Sequence, residues 1–159
     1  MSLADRAVLP LRIFLVMLFA VLVVFQTMSL PGQFRYMAQE QPDLAYLRWP
    51  ATAVTVFWVL CVQVVIVATW RLLDMVRRDR IFSPASLVWV DAIVGAMAAG
   101  WASLVAVFLY VGFHADDPGL PMLLMLLVLG GGVLGLLMLV MRTLLRQATE
   151  LRTDLDAVI

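Results

Sequence analysis

The chain has no lysine, one cysteine, one histidine and little charge. All eleven cations are arginines and eleven acids balance them, so the formal net charge is zero. A neutral chain has no overall field to recruit polyanions, and no direct nucleic-acid partner is expected. Cys61 has no second cysteine to pair with and sits in an apolar run without neighbouring metal ligands. With His114 as the only histidine, no Ser/His/Asp set can be assembled from local motifs, and no P-loop, GxGxxG or HExxH pattern occurs. No enzymatic activity, cofactor or metal site is therefore expected. Charged residues make up 14% of the chain, against about a quarter in a soluble domain. That is too few inside the apolar runs for a pump or antiporter of the usual kind.

Apolar residues are abundant instead: 64% of the chain, gathered into four long blocks. A continuous run of eighteen or more apolar residues reads as a transmembrane helix. The blocks predict helices over about 13–30, 50–79, 84–113 and 120–155, with spanning parts over about 13–30, 51–70, 89–113 and 120–141. The expected fold is all-α, an integral membrane four-helix bundle formed as a single membrane domain over 1–159. The valines of the second block would suit a strand in water, but lipid tolerates no open sheet edge. The first block exceeds the length of a signal-peptide core and lacks an Ala-x-Ala site after it, so it reads as a retained helix. Pro10 marks its expected entry and Pro31-Gly32 its expected end. Residues 31–49 then form the longest predicted loop, with Tyr36, Tyr46 and Trp49 suited to the water–lipid boundary.

Arginine placement predicts orientation. Arg6, Arg12, Arg71, Arg77, Arg78, Arg80, Arg142, Arg146 and Arg152 would fall on one side, Arg35 and Arg48 on the other. Both termini and the loop joining the second and third blocks are thus expected to be cytoplasmic. The tail beyond 141 keeps a helical pattern, with Leu144, Ala148, Leu151, Leu155 and Val158 on one face and i,i+4 charge pairs on another. It reads as an extension along the membrane or bundle, or as a docking helix for a cytosolic protein.

Few residues stand out as candidates. Asp91, eight positions past Ser83, falls just inside the bilayer, where a carboxylate is costly and usually paired. Its expected partners are Arg77, Arg78 or Arg80, and a proton or cation site is the sharper alternative. Gln63, near the middle of the second span, is an intramembrane polar contact to another helix or a ligand. Gly95 and Gly100, with neighbouring small residues, and Gly131 and Gly135, a GxxxG pair, predict close crossing of the third and fourth spans. A homo-oligomer contact is the rival use of those glycines. The ten methionines are scattered, as core fillers are. His114, Asp116 and Asp117 read as a polar turn.

The segment Arg80-Ile-Phe-Ser-Pro-Ala-Ser-Leu-Val-Trp-Val-Asp91 resembles the DUF2975 family of small four-span bacterial membrane proteins. Arg80, Phe82, Ser83, Trp89 and Asp91 carry the resemblance. The family pattern Gly-x-x-Phe-Ser opens the third helix, and here the Asp79-Arg80 region replaces its glycine. The resemblance implies a multi-pass protein of the bacterial inner (cytoplasmic) membrane with no established activity. It also implies a partner, since members are often encoded beside a small cytosolic helix-turn-helix regulator. In physical terms Ser83 caps the third helix, Phe82 anchors the turn and Asp91 returns a charge to the arginines. The resulting expectation is a regulatory or scaffolding membrane protein acting through its Arg-rich loop and C-terminal helix. The alternative is a small transporter or lipid- or hydrophobic-ligand-binding module with a cavity lined by Gln63 and the glycines. A membrane enzyme has the least support.

Overall fold

A computed structural model describes residues 3–40 and 42–158. Among them there is no strand; the elements are α1 (Leu3–Val24), a π-helical turn (Phe25–Ser29), α2 (Leu30–Glu40), a 3-10 helix (Pro42–Leu47), α3 (Arg48–Arg77), α4 (Pro84–His114) and α5 (Gly119–Val158). Among the described residues four stretches are long and apolar enough to cross a membrane: Arg6–Ser29, Trp49–Arg77, Pro84–His114 and Gly119–Val158. The chain is thus all-α and of multi-pass membrane type. Contacts divide the chain into two compact units, Met1–Trp70 and Arg71–Ile159.

In the first unit the expected break at Pro31-Gly32 does not occur. The chain passes from α1 through the π turn into α2 and stays helical to Glu40. Pro31 has no N–H for the carbonyl four residues earlier, Thr27. The π turn lies over that residue, and such a turn absorbs a local break in the helical ladder. Thr27 Oγ1 meanwhile donates to Val23 O at 2.9 Å. The predicted loop 31–49 is mostly helical, and Gln41 within it lies outside the described residues. Pro10 does not mark the entry either; it lies inside α1, which starts at Leu3. Its missing N–H frees the carbonyl of Arg6, an exposed residue that water can reach. Arg12 of α1 stacks over the Trp70 ring, 4.9 Å from its centroid. Val59, Ile66 and Ala68 of α3 are buried, as is Gln63.

The second unit is built on α4 and α5. They run antiparallel: Asp91 meets Arg142 and Trp101 meets Val128 and Gly131, so positions descend on one helix as they rise on the other. Four residues join them, and Asp117 Oδ1 accepts the Gly119 N–H at 3.1 Å, a capping contact at the positive end of α5. His114 Nδ1 is hydrogen-bonded to Tyr110 O and its ring stacks on Tyr110. No cluster of three or more metal-ligating side chains occurs among the described residues.

Candidate functional site

α3 ends in a turn whose backbone bonds identify it. Arg80 N–H donates to Met75 O at 2.8 Å and Asp79 N–H to Val76 O at 3.2 Å. This is the pair of reversed bonds that closes a helix around one left-handed residue. That residue is Asp79, with φ 53°, the one non-glycine residue at positive φ among those described. Glycine is favoured there because it has no Cβ to strain, and aspartate is among the few side chains that tolerate the position. Asp79 stands three residues before Phe82, where the Gly-x-x-Phe-Ser pattern has its glycine.

Ser83 occupies the N-cap position of α4 in extended conformation, with Pro84 following. It makes no side-chain cap bond; its hydroxyl donates backward to Arg80 O at 2.6 Å. The expected cap is thus replaced by a bond that tightens the turn. Ser83 O accepts instead, from Ser86 N–H at 3.1 Å and Ser86 Oγ at 2.7 Å. Ser86 is fully buried, and these bonds satisfy it.

The C-terminal part of α5 closes over this turn. Arg142 bonds Asp91, and Arg152 bonds Asp79 at 3.4 Å with its guanidinium 6.0 Å from the Phe82 ring. Arg71 lies 5.5 Å from the Trp89 ring. Asp91 therefore has an arginine partner, but it is Arg142 of α5 rather than Arg77, Arg78 or Arg80. Arg78 pairs within α3, with Asp74 at 3.2 Å. Arg146, paired with Glu150 at 3.3 Å, is close enough for its charge to act on Asp91. We call this arrangement the arginine clasp: Asp79, Phe82 and Asp91 on one side, Arg142 and Arg152 on the other.

Helical periodicity divides the outer part of α5 into three faces. Arg142, Leu145, Thr149 and Arg152 face the clasp, and Thr149 is buried with its hydroxyl on Leu145 O at 2.8 Å. Arg146 and Glu150 form a charged face. Leu144, Leu151, Leu155 and Val158 form an exposed apolar stripe.

At membrane depth the two helices meet differently. The Trp101 indole lies on the glycines of α5, where a Cβ on Gly131 would sit 3.0 Å from its ring. Its Nε1–H donates to Val128 O at 2.9 Å. The predicted close approach is thus a tryptophan on glycine, not glycine on glycine. A Cβ on Gly95 or Gly135 would meet nothing within 4 Å. Gly100 contributes a carbonyl that accepts Ser103 Oγ at 2.8 Å. Beside Trp101 runs an almost wholly apolar groove of about 360 Å³, lined by Val94, Met97 and Ala98 of α4 and by Gly135, Leu136 and Leu139 of α5 among others.

Sequence reasoning missed Trp101 and the partners of Arg142 and Arg152, while it marked the Asp79-Arg80 region without the conformation of Asp79. Counting inward from the tight turn His114–Gly119 places Trp101 level with Gly131, which is the signal that could have found the first. The same count places Arg142 opposite Asp91.

The family model described as "Protein of unknown function (DUF2975)" matches residues 32–159, and the chain belongs to that family. No curated protein and no solved structure gives a significant match.

Proposed function

We propose that this DUF2975 member is a non-enzymatic regulatory or scaffolding protein of the bacterial cytoplasmic membrane. Its spanning parts are about 13–30, 51–70, 89–113 and 120–141, and both termini and the turn at 78–83 face the cytoplasm. The reading is supported by nine arginines assigned to one side against two on the other. One observation carries the regulatory reading: α5 continues as one helix beyond its apolar run, with one face on the clasp and a charged face and an apolar stripe exposed. Its arginines engage the turn of the family motif, while Leu144, Leu151, Leu155 and Val158 remain exposed. An apolar stripe on a helix that extends into water suits an amphipathic helical partner. The partner is a small cytosolic helix-turn-helix regulator, held at the membrane away from its target.

The test is co-purification of that regulator with the detergent-solubilised full chain. The regulator should be retained by the native chain and lost when Leu151 and Leu155 are both replaced by Glu. Retention by that double variant, or no retention by the native chain, sinks the proposal. A second reading, a module that holds a hydrophobic ligand, is favoured by the apolar groove between α4 and α5.

A further inference from the structure

The geometry points to a phospholipid site: the α4–α5 groove takes one acyl chain, and the charges at its end take an ethanolamine headgroup. This rests on the second reading above and names its ligand. Gly131, Gly135, Met138 and Leu139 follow one another along the inner side of α5, and Arg142 and Arg146 continue that row. On α4 the row Trp101, Met97 and Val94 ends at Asp91. The apolar slot thus leads into the charged end of the helix pair. From Gly131 to Arg142 is eleven residues, about 16 Å of helix, close to half the thickness of a bilayer core of about 30 Å. The slot, lined on α5 from Gly131 to Leu139, takes about 12 Å of one leaflet's chain, and the charges lie about one turn beyond it, at headgroup level.

Charge selects the headgroup. Asp91 and Arg142 form one pair at the mouth, and Arg146 and Glu150 form another one turn along. The four charges sum to zero. Such a mouth suits a zwitterion, with its phosphate on the arginines and its ammonium on the carboxylates. A net-anionic head would meet the same carboxylates without an ammonium to satisfy them. A choline head has no N–H to donate to them. Arg142 bonds Asp91 through Nε and carries further N–H donors for a phosphate oxygen. Both side chains are reachable, being 34% and 50% exposed.

A second copy of the chain is the other occupant such a groove could take. The glycines argue against it. A GxxxG contact needs both glycines free for a neighbouring backbone, and Gly131 is already covered by Trp101 of the same chain.

Gly135 supplies the test, because it lines the groove and a Cβ there would meet nothing within 4 Å. Gly135→Leu should fold normally and fill the slot; Ala98→Leu is the second groove-filling variant. Full-length protein in detergent is mixed with equal amounts of phosphatidylethanolamine, phosphatidylcholine and phosphatidylglycerol, and bound lipid is read by native mass spectrometry. One ethanolamine lipid per chain is expected, favoured over choline by about tenfold, the value of one charge-assisted hydrogen bond. Both groove-filling variants should lose it. Asp91→Asn should keep a lipid but lose the preference for ethanolamine. Unchanged lipid binding in the groove-filling variants overturns the site. Unchanged ethanolamine preference in Asp91→Asn overturns the headgroup assignment alone. Loss of a dimer rather than of lipid in the filled variants makes the occupant a second copy.

Discussion

The middle and the outer end of the α4–α5 pair are held together by different physics. In the middle, Trp101 lies on Gly131 and Gly132 and donates to Val128 O. That contact is packing plus one hydrogen bond in surroundings where water does not compete, and salt does not reach it. At the outer end Arg142 meets Asp91 and Arg152 meets Asp79 and Phe82, all with substantial exposure. Exposed ion pairs stabilise weakly and are screened. One helix pair therefore has a fixed half and a releasable half. The releasable half bears the apolar stripe and the family motif.

The largest effect is expected at the fixed half. Trp101→Ala should lower stability in detergent by about 2 kcal/mol; full truncation of a buried tryptophan costs about 3–5, and Trp101 is 41% exposed. Chemical denaturation followed by circular dichroism reads this, and a loss below about 0.5 kcal/mol would remove the indole as the central contact. Next comes a contrast between two glycines of one motif. Gly131→Leu should cost about 1–2 kcal/mol because its Cβ begins 3.0 Å from the Trp101 ring. Gly135→Leu should stay within about 0.5 kcal/mol. Equal costs would mean that the groove and the glycine notch are not distinct.

Asp79 gives a smaller effect. Asp79→Ala should cost about 1 kcal/mol, since alanine pays for left-handed backbone that aspartate tolerates. Asp79→Gly should recover most of that loss while lacking the carboxylate. A glycine variant as damaged as the alanine one would assign the position to its ion pair with Arg152 instead. Smallest of all in global stability is Arg142→Gln. Unfolding should be nearly unchanged, while amide exchange in 143–158 accelerates and that in 97–104 does not.

Much of this was legible in the residues. The four apolar blocks dictate an all-α membrane chain because no other structure satisfies the backbone in lipid. The motif Arg80–Asp91 carried the family and marked the segment that the clasp engages. What stayed hidden depended on contacts between distant positions. Asp91 offered several arginines within reach along the sequence, and nothing local favoured Arg142, fifty-one residues away. Gly131 and Gly135 look alike in a GxxxG, and only the position of Trp101 separates them. Pro31-Gly32 ends most helices, yet the π turn before it lets this one continue. Ser83 is a favourable cap by type, but its hydroxyl is taken by Arg80 O.

The two halves can be compared directly by spin-label distances in a Cys61→Ser background. One pair of labels replaces Val88 and Leu151, exposed positions near the clasp; the other replaces Ala102 and Leu134, beside the tryptophan contact. Raising salt to 1 M shortens the screening length to about 3 Å. The outer distance should lengthen and broaden while the inner one holds. If both distances hold, or both change together, the division into a fixed and a releasable half is wrong.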